Sequence, residues 1–159
     1  MQTSPTDERE ALEARIDVQR AAIRSLLDDV TDAQARARLV PSLTTVLGLV
    51  THATFVEKVW FQHRIDGNSR AEVGIPETVD ESFVPDPADT VDSVRAAYDE
   101  ACERSRQIAQ EHRLDEVFEW HVGPVNLRFI LGHMVSELAR HAGHGDILVE
   151  QLKAADATD

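Results

Sequence analysis

The sequence of 159 residues is poor in sulfur, aromatic side chains and basic side chains. It has one cysteine, Cys102, so no disulfide can form within the chain, and we expect a reducing, cytoplasmic environment. Only 16 basic residues accompany 29 acidic ones, which gives a formal net charge of -13. Nucleic acids and anionic membranes are bound through basic surfaces, so we expect neither as a partner.

Long apolar runs are also missing. No uncharged apolar segment reaches the roughly 18 residues of a membrane span, so we expect no membrane helix. The first residues show no basic region followed by an apolar one, so we expect no secretory signal. What remains, 42% hydrophobic and 28% charged residues, is typical of a globular protein. The length predicts a single domain over residues 1–159, with its core at about 8–154.

Apolar residues recur at helical spacing in four long segments, and no alternating strand pattern of any length is present. Thr6 is the predicted N-cap of the first helix, and Gly67 ends the second. The predicted fold is therefore all-α, a four-helix bundle with a long crossover loop between helices two and three. The predicted segments are helices at 6–29, 41–66, 88–112 and 125–154, a short helix at 33–39, a long connection at 67–87 and a short extended pair at 119–124.

Histidine is the informative residue type, because three of the seven histidines lie between positions 133 and 144. His133, Glu137, His141 and His144 fall on one stripe of the predicted fourth helix, at the edge of its apolar face. A buried Glu beside His needs a charged partner, since an isolated buried charge is costly. A metal ion supplies such a partner and accepts both carboxylate and imidazole ligands.

His52 lies on the apolar stripe of the predicted second helix, where it can meet the fourth helix across the bundle. One interpretation is a hydrogen-bonded core histidine, with Glu137 and His141 forming an ordinary exposed contact. The other is a three-ligand metal site of His52, Glu137 and His141, whose open positions are typical of catalytic sites. His144 is the alternative third ligand, and both His144 and His133 are candidates for orienting the ligands.

Other residues give weaker signals. No Glu-x-x-His or His-Glu-x-x-His motif occurs, which disfavours a paired di-iron site and a zinc protease. Cys102 is predicted to be a small buried hydrophobe, so no catalytic residue is assigned. Glu57 is the one candidate general base for a metal-assisted hydrolase.

Two strings of the sequence resemble the DinB-like superfamily. The first is His52-Ala-Thr-Phe-Val-Glu57-Lys-Val-Trp60-Phe61, and the second, 127–148, is similar to an uncharacterised bacterial branch sometimes called mini-circle-like. The resemblance implies a four-helix bundle, often a homodimer, with a divalent metal between helices two and four. The family's usual ligands are three histidines; here Glu137 replaces one of them, as in mycothiol-dependent maleylpyruvate isomerase relatives.

The resemblance also implies a chemistry. Characterised relatives are transferases or isomerases that use a low-molecular-weight thiol, such as mycothiol or bacillithiol, against a small electrophile. The implied cofactor is a divalent metal such as Zn, Ni, Mn or Fe, since a carboxylate ligand tolerates all of them. The alternative is a non-catalytic metal-binding or dimerising module related to stress. Arg128 and Arg140 are candidates for binding a carboxylate, although solvated helix positions are the favoured interpretation.

Overall fold

The structure is a computed structural model that describes residues 7–157. Within these residues the chain is mostly helical and has one short two-stranded sheet, which confirms the predicted all-α class. Two segments depart from α geometry: a π-helix that continues α3, and a 3₁₀ turn in the crossover. The elements are α1 (Glu8–Ser25), α2 (Asp32–Ala35), α3 (Val46–Glu57), the π-helix (Lys58–Ile65), α4 (Arg70–Val73), the 3₁₀ turn (Glu81–Phe83), α5 (Val91–Gln110), β1 (Val117–Phe118), β2 (Val125–Asn126) and α6 (Leu127–Asp156).

Side-chain caps set the helix starts. Asp7 caps α1 by accepting hydrogen bonds from two backbone N–H groups, whereas the predicted cap, Thr6, lies outside the described residues. The second long helix begins at Val46 and not at 41, because the Thr45 hydroxyl accepts from the backbone N–H of Gly48. The short helix predicted over 33–39 is confined to α2, which is one turn long.

The sequence pattern predicted a continuous α-helix to Asp66. In the structure the second long helix is α-helical only as far as Glu57. Its last part, the π-helix, has bonds of the i→i+5 type, such as the 3.0 Å bond from the Asp66 N–H to the Phe61 carbonyl. A π segment is rare and often lies at a functional site. Gly67 ends this helix with a φ of +76°, a left-handed conformation that glycine adopts without a steric penalty.

Four long helical segments pack in two main pairs, α1 against α6 and α3 against α5. The crossover between α3 and α5 carries α4 and the 3₁₀ turn, and the turn packs on α3. Gly145 of α6 allows a close approach of the chain after α1, because a Cβ there would collide with the Leu26 side chain. The largest fully buried side chains of this core are Tyr98, Phe61, Ile16, Ile23, Leu27, Leu47, Leu49, Ile108, Leu127, Ile130, Leu131 and Met134.

A short antiparallel hairpin leads into α6. In it Val117 pairs with Asn126 and Phe118 with Val125, so the predicted extended pair forms on either side of 119–124. Asn126 ends the hairpin and also caps α6, because its side chain accepts from the Phe129 N–H. Among the described residues, no helix combines the length and apolar character needed to cross a membrane.

A buried ion pair joins α1 to the end of α3. The Arg20 guanidinium donates two parallel hydrogen bonds to the Glu57 carboxylate, of 2.8 and 2.9 Å, and Glu57 is fully buried. The Cys102 thiol of α5 lies 3.8 Å from the same carboxylate. Three helices therefore meet at one charged group. The hydrogen bonds to it have to offset the free-energy cost of taking the Glu57 carboxylate out of water.

We predict that Arg20→Ala lowers the free energy of unfolding by about 3–5 kcal/mol, because Glu57 then stays buried without a partner. Arg24→Ala is the matched control, since Arg24 forms a comparable contact with Asp99 on the exposed surface of the same helix. Urea unfolding of both variants measures the difference. Equal, small losses in the free energy of unfolding of the two variants would contradict the prediction.

Candidate metal centre

The structure brings together the three side chains that the sequence selected. His52 lies on α3, and Glu137 and His141 lie one turn apart on α6. One ligand atom from each of the three falls within 4.8 Å of the other two. Glu137 Oε1 is 3.4 Å from His52 Nε2 and 3.0 Å from His141 Nε2. The group therefore has the donor types and the spacing of a three-ligand metal site.

This group lies at the rim of the bundle rather than at its centre. His52 is 2% exposed, but the side chains of Glu137 and His141 are 23% and 12% exposed. Part of the Glu137 and His141 side chains is therefore in contact with solvent on the α6 side, while the α3 side is closed by the core.

Ser82 of the 3₁₀ turn fixes the tautomer of His52. The Ser82 hydroxyl donates its single hydrogen to the Val79 carbonyl, which can only accept. His52 Nδ1, 2.8 Å from Ser82 Oγ, must therefore carry the hydrogen and donate it to that oxygen. In the neutral ring the Nε2 atom is then left with a free lone pair, directed at Glu137.

The electrostatics of the group favour the forms that bind cations. Burial lowers the pKa of His52, so the ring is neutral at pH 7. The hydrogen bond from His141 holds the pKa of Glu137 well below its usual range, so this group is a carboxylate. With Nδ1 as the protonated nitrogen of His52, the lone pair of its Nε2 atom and the Glu137 carboxylate face each other without a proton between them. A divalent cation compensates such an arrangement, so these residues fit a metal.

Phe83 closes the group on the crossover side. Its ring stacks on His52 with a centroid distance of 4.0 Å and an interplanar angle of 9°, and it also contacts the His141 ring edge-on at 5.8 Å. Gly48 of α3 makes room for this turn, because a Cβ there would collide with the Phe83 carbonyl oxygen. The turn that carries Ser82 and Phe83 therefore depends on a glycine at this position.

The other predicted residues lie outside this group. His144 is exposed and its ring is 5.7 Å from that of His141, so it is not the third member. His133 packs on Trp60 at 4.7 Å, one turn of α6 before Glu137. Glu57 faces Arg20 and cannot act as a general base at the group.

The remaining candidates are accounted for elsewhere. Cys102 is buried, which confirms the prediction of a small buried side chain, and burial together with the charge of Glu57 raises its pKa to about 12. Arg128 forms an ion pair with Glu8, and Arg140 is exposed.

Sequence reasoning missed Ser82 and Phe83. Both lie in a long connection without periodicity, so no pattern predicted that this segment would fold back on His52. The available signal was the length of the connection itself, since long loops in compact domains often carry function.

A helical bundle with a three-residue candidate metal group between its second and fourth long helices is the architecture that the resemblance to the DinB-like superfamily implied. The sequence profile of the mycothiol S-transferase family matches residues 11–154, so the chain belongs to this family. No curated protein matches the sequence. The crystal structure of a conserved protein from Enterococcus faecalis has the same fold, with a TM-score of 0.68 and 11% identity over 97% of this chain and 99% of that one.

We predict that Gly48→Ala displaces the 3₁₀ turn and costs about 1–3 kcal/mol of stability, because the new methyl group overpacks the contact with Phe83. The ¹⁵N chemical shifts of the His52 ring should change as its bond to Ser82 loosens. Gly143→Ala on α6 is the control, since nothing lies within 4 Å of that Cβ, and it should gain about 0.5–1 kcal/mol. The prediction fails if Gly48→Ala is also stabilising and leaves the His52 signals in place.

Proposed function

We propose that this member of the mycothiol S-transferase family is a divalent-metal-dependent enzyme that joins mycothiol, or a similar small thiol, to a small electrophile. His52, Glu137 and His141 would hold the metal. The observation that supports this most is the convergence of His52 Nε2 and His141 Nε2 on the Glu137 carboxylate, at 3.4 and 3.0 Å. Membership of the family supports the thiol. The cytoplasmic location and the homodimer stay predictions from the sequence.

The chain's own residues have limited but definite tasks in this proposal. A bound divalent ion lowers the pKa of a coordinated thiol and so makes a thiolate available at neutral pH. Ser82 keeps the His52 lone pair directed at the group, and Phe83 excludes water from one side of it. The partial exposure of Glu137 and His141 leaves the opposite side open to substrates.

No protein nucleophile is required. The thiol of Cys102 lies beside Glu57 in the interior, and its raised pKa keeps it protonated. The nucleophile therefore has to be brought by a second small molecule, as expected for a thiol transferase. The hydrolase alternative needs a general base at the metal, and Glu57 is committed to Arg20.

The competing function, a non-catalytic metal-binding module, predicts a closed set of four protein ligands. The structure gathers three, and His144, which would be the fourth, is exposed. Three protein ligands leave positions for a thiol or water, which favours the enzyme over the structural module.

We predict a graded loss of metal affinity in three variants and no loss in a fourth, the control. His52→Ala and His141→Ala each remove a ligand and should bind metal more weakly than Ser82→Ala, for which the loss of an orienting hydrogen bond costs about 10–100-fold. His144→Ala should bind like the unmodified protein. Competition with a chromophoric chelator, using Zn, Ni, Mn and Fe(II) in turn, measures each affinity. A protein that binds none of these metals, or a His52→Ala variant with undiminished affinity, would refute the metal centre.

We predict that Cys102→Ala keeps conjugation of mycothiol to iodoacetamide within about twofold of the unmodified rate, because the nucleophile is the added thiol. Without mycothiol, iodoacetamide should be consumed no faster in the presence of the protein than in buffer alone. Loss of activity in a Cys102→Ala protein with a normal melting curve would assign the nucleophile to the chain and overturn the proposed mechanism.

A further inference from the structure

One cation of the π-helix forms no hydrogen bond or ion pair with any of the residues that the structure describes. Arg64 is half-buried and its Nη1 atom is buried without a hydrogen bond. The other arginines that are buried or half-buried in the described residues, six in all, each donate to a carboxylate or a carbonyl oxygen. These are Arg9, Arg20, Arg36, Arg70, Arg95 and Arg106. Among the buried and half-buried arginines that the structure describes, Arg64 alone has neither a carboxylate nor a carbonyl oxygen as a partner.

Two tryptophans hold this guanidinium in place. Arg64 Cζ is 4.0 Å from the centroid of Trp60 and 5.5 Å from that of Trp120, and the two indole rings are 5.4 Å apart. Cation–π contact with the ring faces stabilises the charge but leaves the N–H groups in the guanidinium plane available. The planar fork of an arginine matches a carboxylate, which it binds through two parallel hydrogen bonds.

A second arginine adds to the positive charge. Burial and the nearby charge of Arg70 lower the pKa of Arg64, so the two cations repel each other. Arg70 donates to the Pro76 carbonyl and lies 5.9 Å from the Phe55 ring, and no described carboxylate forms an ion pair with either arginine. An anion between them would relieve this repulsion.

Both arginines are connected to the candidate metal centre through intervening aromatic side chains. Phe55, under Arg70, stacks at 6.1 Å on the His52 ring. Trp60, under Arg64, contacts His133, which lies one turn of α6 from Glu137. One chain of contacts starts from His52 and the other from His133, and they end at two arginines that are close enough to repel each other. The positive charge is therefore linked to the metal-binding group through these rings.

We propose that Arg64, assisted by Arg70, binds a carboxylate of the electrophilic substrate beside the metal centre. The proposal rests on the proposed function and deepens it by naming the class of electrophile: a small molecule with a carboxylate near its reactive carbon. With mycothiol as the thiol, the anion has to come from the electrophile, since the cysteine of mycothiol is linked through amides and the molecule has no carboxylate. The sequence-based candidates Arg128 and Arg140 do not serve, because the first is paired with Glu8 and the second is exposed.

Intrinsic fluorescence tests the subsite without turnover. Trp60 and Trp120 are the two tryptophans of the sequence and both contact Arg64, so an anion bound there should change their emission. We expect a saturable change with succinate and none with succinamide, which has the same carbon skeleton without charge. Arg64→Gln should weaken succinate binding by about 10–100-fold, the loss expected for charge-assisted hydrogen bonds, and Arg64→Lys should lose less.

Arg15→Gln, on the exposed face of α1, is the control for a general change in charge and should bind succinate like the unmodified protein. If Arg64 were only a structural clamp between the tryptophans, Arg64→Gln would change the melting curve and leave the preference for succinate over succinamide intact. That result, or the absence of any saturable change in the unmodified protein, overturns the proposal.

Kinetics then separate this proposal from the proposed function. With mycothiol and metal, the ratio of kcat/KM for iodoacetate to kcat/KM for iodoacetamide should fall in Arg64→Gln by the factor seen in binding. In both reactions a C–S bond forms, a C–I bond breaks, iodide leaves and the thiol proton goes to solvent. If the protein binds succinate but conjugates neither electrophile, the proposed transferase activity is refuted and the Arg64 subsite is not. If it conjugates both electrophiles with no preference that depends on Arg64, the subsite is refuted and the transferase activity is not.

Discussion

The buried ion pair between Arg20 and Glu57 is the constraint on which the rest of the structure depends. A carboxylate without exposure to water persists only while its partner keeps both hydrogen bonds, so the pair fixes α1 against the end of α3. The same carboxylate contacts Cys102 of α5. Because three helices are positioned by one charged group, α3 has little freedom to rotate, and His52 is held toward α6.

Polar groups of the second long helix are divided between two sides of the bundle. Glu57 is satisfied by α1 and α5, whereas His52 is satisfied by the 3₁₀ turn and faces α6. All but one of the residues of α3 are buried, which is why its pattern is a broad apolar surface rather than a narrow stripe. In such a helix each polar side chain needs a specific partner, and His52 has one ring nitrogen paired with Ser82 and the other directed at Glu137.

Periodicity was sufficient to predict the four long helices, and the spacing on α6 together with the position of His52 was sufficient to select the three side chains that meet. These features are local or follow from helix pairing. The start at Val46 depended on the hydroxyl of Thr45, one of several possible caps in a row of Ser and Thr residues, so the pattern could not distinguish them. The fold-back of Ser82 and Phe83 depended on space at Gly48, a tertiary contact that no helical or strand period encodes.

The π-helix explains why Arg64 was overlooked in the sequence. Glu57 and Arg64 are one heptad apart, and in a straight α-helix such positions differ by only about 20°, so a continuous helix would direct Arg64 toward Arg20 and α1. The turns of a π-helix contain more residues, so Arg64 no longer points in the same direction as Glu57. Glu57 keeps its contact with α1, while Arg64 stacks on Trp60 and Trp120 beside His133 of α6. The change of helix type thus separates a structural charge from an unpaired one and carries the unpaired charge to the side of the candidate metal centre.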